Sequence, residues 1–436
     1  MSRPEQVDVL VSHGLVVTAD EGDSVIRDGA VAVRGDRIVA VGPTTEVTAS
    51  HRAAFVLDAA GGVVMPGMVN AHTHLAMTLL RGVADDLDLQ GFLDRVWERE
   101  RKVVSPEAVR LGVTAGIVES LASGVTVAAD MYFHPRDALV VSEELGFRLV
   151  TGPAFFDFEM PWYRGFDVEL GAAREWLGEA PGLALRRAVA AHSTYTLEPG
   201  RLAVVAELAA AHGAALQVHA SENEAEVATV RERHGGTPIE VLDQAGALGP
   251  STILAHAVVL TDHDHELIAN SGAGVAHNPA SNLKLNSGIA PVPRLRGDGV
   301  PVGLGTDGPA SSNSLDLFTA MRLAALVHKA AADDLTVLPA VDIVRMATIE
   351  GARVLGLDHE LGSLEAGKLA DLVVLDAGRV TGTPGQDPAS TLAYATGARD
   401  VRAVFVSGRQ VVANGEVVTV DEGEVAAAVR SLMGAV

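Results

Sequence analysis

The feature that most limits what this chain can fold into is an apolar run that ends in two histidines. Residues 63–74 read VVMPGMVNAHTH, so one residue separates His72 from His74. Side chains two residues apart project from the same side of a strand, and both imidazoles can therefore face one ion. Pro66 and Gly67 mark a turn at the entry to this run. Taken alone, the pair fits a metal site or two ordinary polar residues at a strand end.

Apolar runs alternate with helical stretches through the middle of the chain. This alternation predicts βα units around a parallel sheet. The predicted strands cover residues 63–71, 125–131, 147–153, 186–191, 214–220, 252–257, 273–278 and 301–306. Eight strands over about 300 residues predict a (β/α)8 TIM-type barrel of the α/β class. An open doubly wound sheet is the alternative, but no glycine-rich phosphate loop follows any predicted strand.

Both ends of the chain differ from this middle part. Residues 5–60 and the segment after Leu357 contain short β-rich runs separated by turn residues. The amino-terminal unit is too small to bury much surface by itself, and we expect the two ends to pair into one small domain. A final helix is predicted over residues 422–434.

The composition excludes several classes of partner. The 436 residues carry a formal net charge of −23, which repels nucleic acid and anionic membranes. Aromatic residues make up only 4% of the chain, too few for a base-stacking surface. There is no cysteine, so metal ligands must be His, Asp or Glu. With no signal-peptide core and no run long enough to cross a bilayer, we expect a cytoplasmic protein without nucleic acid or membrane partners.

Residues that can bind a metal follow most of the predicted strands. In barrels of this type the active site lies at the carboxyl ends of the strands. Those ends offer His72, His74, His192, His219, His256, His277 and Asp307. One such histidine is more often a structural residue, but six strand ends that supply His or Asp to one rim predict a metal site.

The ligand types indicate which ion this rim would bind. Three histidine nitrogens and one carboxylate oxygen, from His72, His74, His219 and Asp307, suit Zn²⁺ with an open position for water. Fe²⁺ is the alternative for the same ligands. Such an ion lowers the pKa of a bound water to about 7.

Other histidines fit the rim less well. His263 and His265 form a second His-x-His pair, but they start a predicted helix. Residues two apart on a helix point about 200° apart, so they cannot bind one ion, and we expect both side chains to be exposed. His134 follows the second strand and fits either a pocket-lining residue or a loop cap.

Five further stretches carry a resemblance to a known family. They are residues 66–74 (PGMVNAHTH), 80–86 (LRGVADD), 218–222 (VHASE), 277–285 (HNPASNLKL) and 305–308 (GTDG). Together with residues 362–375 they resemble the amidohydrolase superfamily, most closely its branch of methylthioadenosine/S-adenosylhomocysteine deaminases, to which guanine deaminases and triazine hydrolases are related. The resemblance implies a barrel over residues 63–360 beside a composite β-sandwich built from residues 1–62 and 361–436.

The resemblance also implies roles for individual residues. His72, His74, His219 and Asp307 match the metal ligands, and Asp307 is also the catalytic base. Glu222 matches the proton shuttle to a ring nitrogen, and His256 matches the residue that orients the attacking water. Glu100 and His192 match substrate contacts. One metal ion is implied, because members with two bridge them with a lysine from the fourth strand, and no lysine lies near residues 186–192.

The family pattern is broken at one point. Deaminases of this branch carry an arginine near the end of the third strand, where this chain has Thr151-Gly152-Pro153-Ala154. Arg148, earlier in the strand, and Arg164, in the following loop, are the candidates to replace it. The aromatic segment 155–166 fits either a pocket lid or a packed surface loop.

We therefore expect a metal-dependent hydrolytic deaminase that releases ammonia from an amino-substituted N-heterocycle, a purine or an adenosine-type nucleoside derivative. A dechlorinase or a cyclic amide hydrolase on the same scaffold is the first alternative, and a non-catalytic scaffold protein is the second. The resemblance also implies a homodimer or a homotetramer.

Overall fold

The computed structural model of the chain describes residues 4–376 and 385–434. Its amino-terminal part consists of short strands and one helix. These elements are β1 (Glu5–Val17), β2 (Val25–Arg34), β3 (Arg37–Pro43), α1 (Thr44–Ser50), β4 (His51–Asp58) and β5 (Val63–Pro66). The turn between β2 and β3 lies at Gly35-Asp36.

Strands and helices alternate through the middle of the chain. The strands are β6 (Met68–Thr73), β7 (Val125–Asp130), β8 (Arg148–Val150), β9 (Ala154–Phe155), β10 (Ala188–Ser193), β11 (Ala215–Ala220), β12 (Thr252–His256), β13 (Gly274–His277) and β14 (Val302–Leu304). The helices are α2 (Leu89–Val103), α3 (Pro106–Ala122), α4 (Pro135–Leu145), α5 (Phe166–Gly178), α6 (Pro199–Ala211), α7 (Glu224–His234), α8 (Pro238–Gln244), α9 (Asp262–Ser271), α10 (Pro279–Lys284), α11 (Val292–Gly297), α12 (Leu317–Ala332), α13 (Ala340–Met346) and α14 (Ile349–Val354). Each predicted barrel strand overlaps an observed strand.

The carboxyl-terminal part returns to β-structure and ends in a helix. Its elements are β15 (Leu372–Leu375), α15 (Pro388–Ser390), β16 (Val401–Val406), β17 (Arg409–Ala413), β18 (Glu416–Val417) and α16 (Glu422–Gly434). These strands join the amino-terminal ones in a nine-stranded sheet, in the order β18-β17-β16-β15-β5-β1-β2-β3, with β4 also paired to β1. The two chain ends therefore form one sheet.

The apolar run before the two histidines is divided between two sheets. The prediction of one strand over residues 63–71 was wrong in this respect, because β5 pairs with β1 and β15 in the nine-stranded sheet. The chain crosses to the parallel strands at Gly67, where a Cβ atom would lie 2.2 Å from Thr126 Oγ1. Only glycine fits this close approach. It allows the chain to continue directly into β6, which pairs with β7.

The middle strands are all parallel and bring their carboxyl ends together. One sheet has the order β6-β7-β8 and the other β14-β13-β12-β11-β10-β9. A parallel bridge between Thr73 and Asp307 joins the end of β6 to the residues after β14. Residues that follow these strands therefore meet at one rim, as the sequence predicts. Within the described ranges, no helix is long and apolar enough to cross a membrane.

Candidate active site

Four side chains from three distant parts of the sequence converge at the carboxyl ends of the strands. One ligand atom from each of His72, His74, His219 and Asp307 lies within 4.8 Å of every other. His72 lies near the end of β6, and His74 directly follows this strand. His219 lies in β11, and Asp307 follows β14. His72 is fully buried, and the other three side chains are nearly so.

Hydrogen bonds at the far side of the His74 and His219 rings direct their Nε2 atoms towards the centre of the cluster. His74 Nδ1 donates to the carbonyl oxygen of Met131, and His219 Nδ1 donates to that of His192 at 2.9 Å. Both Nε2 atoms therefore face the centre of the cluster, as neutral metal-binding imidazoles require.

Asp307 is oriented in a similar way by hydroxyl groups. Ser281 and Ser311 donate to its Oδ2 atom at 2.6 and 2.7 Å. Its Oδ1 atom remains directed at His74 Nε2, 3.1 Å away, and His72 Nε2, 3.4 Å away. One carboxylate oxygen is thus held by the protein and the other faces the cluster.

The arrangement fits a divalent metal ion. Ligands about 2.0–2.1 Å from a tetrahedral Zn²⁺ lie about 3.3 Å from one another, and three of the ligand-atom pairs here are 3.1–3.4 Å apart. Neither ring nitrogen of His72 makes a hydrogen bond within the described part of the chain. Buried polar atoms are rarely left without a partner, so this fully buried imidazole fits the role of a metal ligand.

The ionisation states of the cluster differ between its histidines. Burial acts to lower the pKa of His74, but the contact with Asp307 outweighs it and raises that pKa, so this ring would release a proton on binding a metal. Burial lowers the pKa of His72 to about 4, so that its ring is neutral at pH 7. Burial acts to raise the pKa of the Asp307 carboxyl, but the contacts with His72 and His74 outweigh it and hold that pKa well below its ordinary value. A neutral imidazole beside a carboxylate is the ionisation state in which both can bind a metal.

Glu222 and His256 lie beside the cluster and face the same cavity. Glu222 Oε2 is 3.8 Å from His256 Nε2. Burial raises the pKa of the Glu222 carboxyl, which favours its protonated, proton-donating form. His256 Nδ1 lies 2.8 Å from Asn282 Oδ1. Because that oxygen can only accept, Nδ1 carries the hydrogen and Nε2 presents a lone pair to the cavity.

A second carboxylate holds the backbone that carries Glu222. Glu226 accepts the backbone N–H groups of Ser221, at 3.1 Å, and Glu222, at 2.5 Å. Asn223 caps helix α7 by accepting the backbone N–H of Glu226 at 2.8 Å. The position of the Glu222 side chain is therefore fixed by the first turn of α7.

Glu100 and His192 also line this cavity, and the His192 ring centroid lies 5.0 Å from that of His219. Tyr132 donates to the buried Glu100 carboxylate at 2.6 Å, and burial raises the pKa of Glu100 to about 7. His192 Nδ1 lies 2.9 Å from Thr196 Oγ1, and burial lowers the pKa of this imidazole to about 3. Each group thus offers a polar atom to a bound molecule while its other polar contact is satisfied by the protein.

The cavity has a polar floor and an aromatic wall. Its empty volume, which includes the open solvent at its mouth, is about 750 Å³. Besides Tyr132, the aromatic side chains that line it are Phe92, Trp97, Phe133, Phe156, Phe158 and Tyr195. Phe156 and Phe158 come from the aromatic segment 155–166, so part of that segment lines the cavity, which agrees with the pocket-lid prediction.

Several histidines that were considered as candidates from the sequence lie outside the metal-binding cluster. His277 ends β13, but its Nε2 is 3.0 Å from His328 Nε2 on helix α12, outside the cluster. The expectation that His265 is exposed was wrong, because its ring is buried with Nδ1 3.4 Å from Asp298. His134 is the residue before helix α4, and it does not line the cavity.

The two arginine candidates for the third strand are also separate from the cavity. Arg148 is buried in a two-contact ion pair with Asp371, at 2.7 and 3.0 Å, so it cannot reach a substrate. Arg164 is exposed and lies 3.3 Å from Glu169. Neither lines the cavity.

Residues that the sequence analysis did not single out complete the site. Trp97 lies one helical turn before Glu100 on α2, and this i, i+3 spacing was a usable signal that both face the cavity. Ser281 and Asn282 lie within the HNPASNLKL motif, but only the folded chain shows that they contact Asp307 and His256. Ser311 carries no signal in the sequence.

Comparisons with known proteins agree with this geometry. A model of the amidohydrolase family matches residues 63–411, and a model of the bacterial imidazolonepropionase-like composite domain matches residues 29–54. A 5-methylthioadenosine/S-adenosylhomocysteine deaminase of Syntrophobacter fumaroxidans is 41% identical over 98% of this chain and 97% of its own. A 5′-deoxyadenosine deaminase of Methanothermobacter thermautotrophicus is 40% identical over 91% of this chain and 92% of its own.

A solved structure is similar over the full length. The crystal structure of an adenosine deaminase from Xanthomonas campestris with bound zinc has a TM-score of 0.96 and 36% identity, and it covers 100% of both chains. These matches confirm the resemblance seen in the motifs and give the chain a TIM-barrel-type fold.

Proposed function

The chain belongs to the amidohydrolase family, and from that premise we propose that it is a metal-dependent hydrolytic deaminase of adenosine-type substrates. It is a hydrolase that acts on C–N bonds other than peptide bonds. The observation that carries the proposal is the position of Glu222 and His256 beside the four-ligand cluster at the floor of one cavity. The names of the relatives supply the substrate class.

We propose that His72, His74, His219 and Asp307 bind one divalent ion. Three nitrogens and one oxygen suit Zn²⁺, and Fe²⁺ remains the alternative for the same ligands. When bound, the ion supplies an acidified water as the nucleophile. Metal analysis of the purified protein tests the proposal, with one equivalent expected.

The residues around the cluster then perform the proton transfers. Asp307 accepts the proton of the attacking water at Oδ1, because Oδ2 already accepts two serine hydroxyls. His256 Nε2 accepts a hydrogen bond from the same water and so orients it towards the amine-bearing ring carbon. Glu222 donates its proton to the neighbouring ring nitrogen, which would otherwise carry negative charge as the carbon is attacked.

The reaction is completed by proton transfer to the leaving group. The new C–O bond forms, and Asp307 passes its proton to the exocyclic nitrogen, which leaves as ammonia when the C–N bond breaks. The proton that remains on the new hydroxyl passes to the Glu222 carboxylate, so the product carries a C=O bond and Glu222 is protonated again. Glu100 and His192 bind the ribose hydroxyls and hold the ring over the cluster. Both residues line the same cavity as the cluster, and the His192 ring centroid lies 5.0 Å from that of His219.

The test is ammonia release by the zinc-loaded protein. The panel contains 5′-methylthioadenosine, 5′-deoxyadenosine, adenosine, guanine, cytosine, a pterin, an aminotriazine and a chlorotriazine. We expect ammonia from the adenosine derivatives, with a shift of the ultraviolet absorbance to that of the hypoxanthine product. Chloride release from the triazine, with no ammonia from any purine, would contradict the proposal and favour the dechlorinase. A protein that binds no metal and turns over nothing would favour the scaffold alternative.

Finer features of the architecture and setting belong to the same proposal. We propose a (β/α)8 barrel over residues 63–360 and a composite β-sandwich from residues 1–62 and 361–436. The sheet order, in which β15 and β16 extend the amino-terminal strands, supports this division. We also propose a cytoplasmic homodimer or homotetramer, which light scattering of the purified protein tests.

A further inference from the structure

Two of the motifs that carry the family resemblance meet at one ion pair. Asp85 belongs to the LRGVADD motif and Lys284, the last residue of α10, to the HNPASNLKL motif. The Lys284 ammonium group donates to the Asp85 carboxylate and to the side-chain oxygen of Asn313, and it lies 3.4 Å from the carbonyl oxygen of Ala310. An ammonium group carries three N–H groups, so each of them has an acceptor here. One side chain thereby joins α10 to the loop before α2 and to the loop after β14.

Two of the segments joined in this way also orient groups at the floor of the cavity. On α10, Ser281 donates to Asp307 at 2.6 Å. Asn282, also on α10, accepts from His256 at 2.8 Å. In the loop after β14, Ser311 donates to Asp307 at 2.7 Å. The ammonium group is therefore anchored on the part of the protein that holds the catalytic side chains.

The third segment, which contains Asp85, leads into helix α2, and this helix covers the cavity. The buried residues of α2 are spaced three or four apart, so one face of the helix points inward. Six side chains of α2 line the cavity, and they include Trp97 and Glu100. An apolar cluster joins the same face to Leu285 and Ala310. Leu285 directly follows the lysine and Ala310 is one of its acceptors, so the ion pair lies beside the apolar contacts that hold α2.

From these contacts we propose that Lys284 is a positioning residue that holds α2 over the cavity and thereby places Glu100 against the substrate. The inference rests on the proposed function, because it adds a residue to the same site. Ion pairs that water reaches contribute little to global stability, and the Lys284 and Asp85 side chains are 24% and 42% exposed. The effect of the pair should therefore fall on the local opening of α2 and not on the unfolding of the whole chain.

Hydrogen exchange of the full chain in the presence of zinc, followed by mass spectrometry, tests the position of α2 directly. In Lys284→Met, the amides of residues 81–103 should exchange about tenfold faster or more than in the wild type, because hydrogen bonds to a charged group are lost. Exchange in the strands of the barrel should not change. Lys102→Met is the matched control, since it removes a lysine of α2 that pairs at 2.9 Å with Glu98 on the exposed side of the helix. Its exchange should stay within about twofold of the wild type.

Steady-state kinetics with 5′-methylthioadenosine test the consequence for substrate binding. Helix α2 supplies Glu100 to binding and no group to the proton transfers, so Lys284→Met should raise KM about tenfold and keep kcat within about threefold of the wild type. Asp85→Ala removes the other partner and should raise KM to a similar extent. Because the two side chains act through one contact, the double variant should be no worse than the more affected single variant. Lys102→Met should leave both constants unchanged.

The two measurements distinguish failure of the inference from failure of the function on which it rests. Unchanged exchange of residues 81–103 in Lys284→Met would overturn the inference, whatever the activity of the wild type. Faster exchange throughout the barrel would also overturn it, because Lys284 would then stabilise the whole fold. Faster exchange of α2 with an unchanged KM would overturn the role in substrate binding. A wild-type protein that releases no ammonia would contradict the proposed function, and hydrogen exchange would still decide whether Lys284 holds α2.

Discussion

Two buried clusters of charged side chains lie at opposite ends of the parallel strands, and they differ in how their polar atoms are satisfied. At the amino end of β8, Arg148 binds both oxygens of Asp371, the hydroxyl of Ser407 and the carbonyl oxygen of Leu183. At the carboxyl ends, both ring nitrogens of His72 lack a hydrogen bond within the part of the chain described here.

This difference suggests that the Arg148 cluster stabilises the fold, whereas the His72 cluster binds a metal ion. A fully hydrogen-bonded ion pair is complete without any further group, and it joins the strands of the barrel to the nine-stranded sheet. The cluster of His72, His74, His219 and Asp307 is also buried, and a divalent cation bound there would give the His72 ring a partner. Substitutions in the first cluster should therefore affect the fold, and those in the second should affect metal binding and chemistry.

The largest expected effect is on chemistry alone. Glu222→Gln removes the proton donor without changing its shape, and kcat should fall by a factor of about 10³ to 10⁴. Metal content and the midpoint of thermal unfolding should not change. Glu224→Gln, an exposed neighbour on α7, is the matched control and should retain full activity. A Glu222→Gln protein with normal kcat would show that this carboxyl does not donate the proton.

The next effect is on the fold alone. Arg148→Met leaves the Asp371 carboxylate buried without a cation, which should lower the free energy of unfolding by about 3–5 kcal/mol. The pair Arg148→Met with Asp371→Leu should regain most of that loss, because no charge remains buried. Urea unfolding measures the change, and kcat of the folded single variant should match that of the wild type. Equal stability of the single variant and the wild type would contradict a structural role.

Metal binding by His72, His74, His219 and Asp307 should stabilise the folded protein. Zinc at a free concentration 100 times its Kd should raise the free energy of unfolding by about 2.7 kcal/mol. His72→Ala should abolish this gain, whereas Arg148→Met should keep it, although from a lower starting stability. Thermal unfolding at a series of zinc concentrations measures both. An unchanged zinc response in His72→Ala would remove that residue from the ligand set.

The smallest effect concerns substrate binding. The pKa of Glu100 is raised to about 7, so its carboxylate becomes protonated as the pH falls below that value. The protonated form is a poorer acceptor for a ribose hydroxyl, and KM should rise up to about tenfold between pH 8 and pH 6. In Glu100→Gln, KM should be higher and its pH dependence weaker. An identical pH profile in the two proteins would assign the titration to another group.

Much of the site was predictable from the sequence, because each ligand follows an apolar strand. A polar residue directly after a buried strand must lie at the rim, whatever the helices between the strands do. The His-x-His spacing identified His72 and His74, and the repeated pattern of a strand followed by a histidine identified His219. The same reasoning placed His277 at the rim, but its ring turns outward to His328. Position along a strand does not determine which way the side chain at its end points.

The rest of the structure depends on contacts between distant residues. No residue near Arg148 in the sequence predicts its ion pair with Asp371. Likewise, no residue near Asp307 predicts its hydrogen bond with Ser311. The exposure of His265 was predicted wrongly because amphipathic periodicity does not show that the loop after α11 brings Asp298 to that ring. The split at Gly67 was missed because β5 and β6 are equally apolar and differ only in their partners.

The position of β5 determines when this strand, which precedes the two histidines, can gain both of its neighbouring strands during synthesis. Strand β5 lies between β1 and β15, and β15 ends at Leu375. The ribosome must therefore translate most of the chain before the second neighbour of β5 is available. Until then one edge of the strand that leads into His72 and His74 stays open, so this part of the protein should assemble after translation and depend on chaperones longer than the helices do.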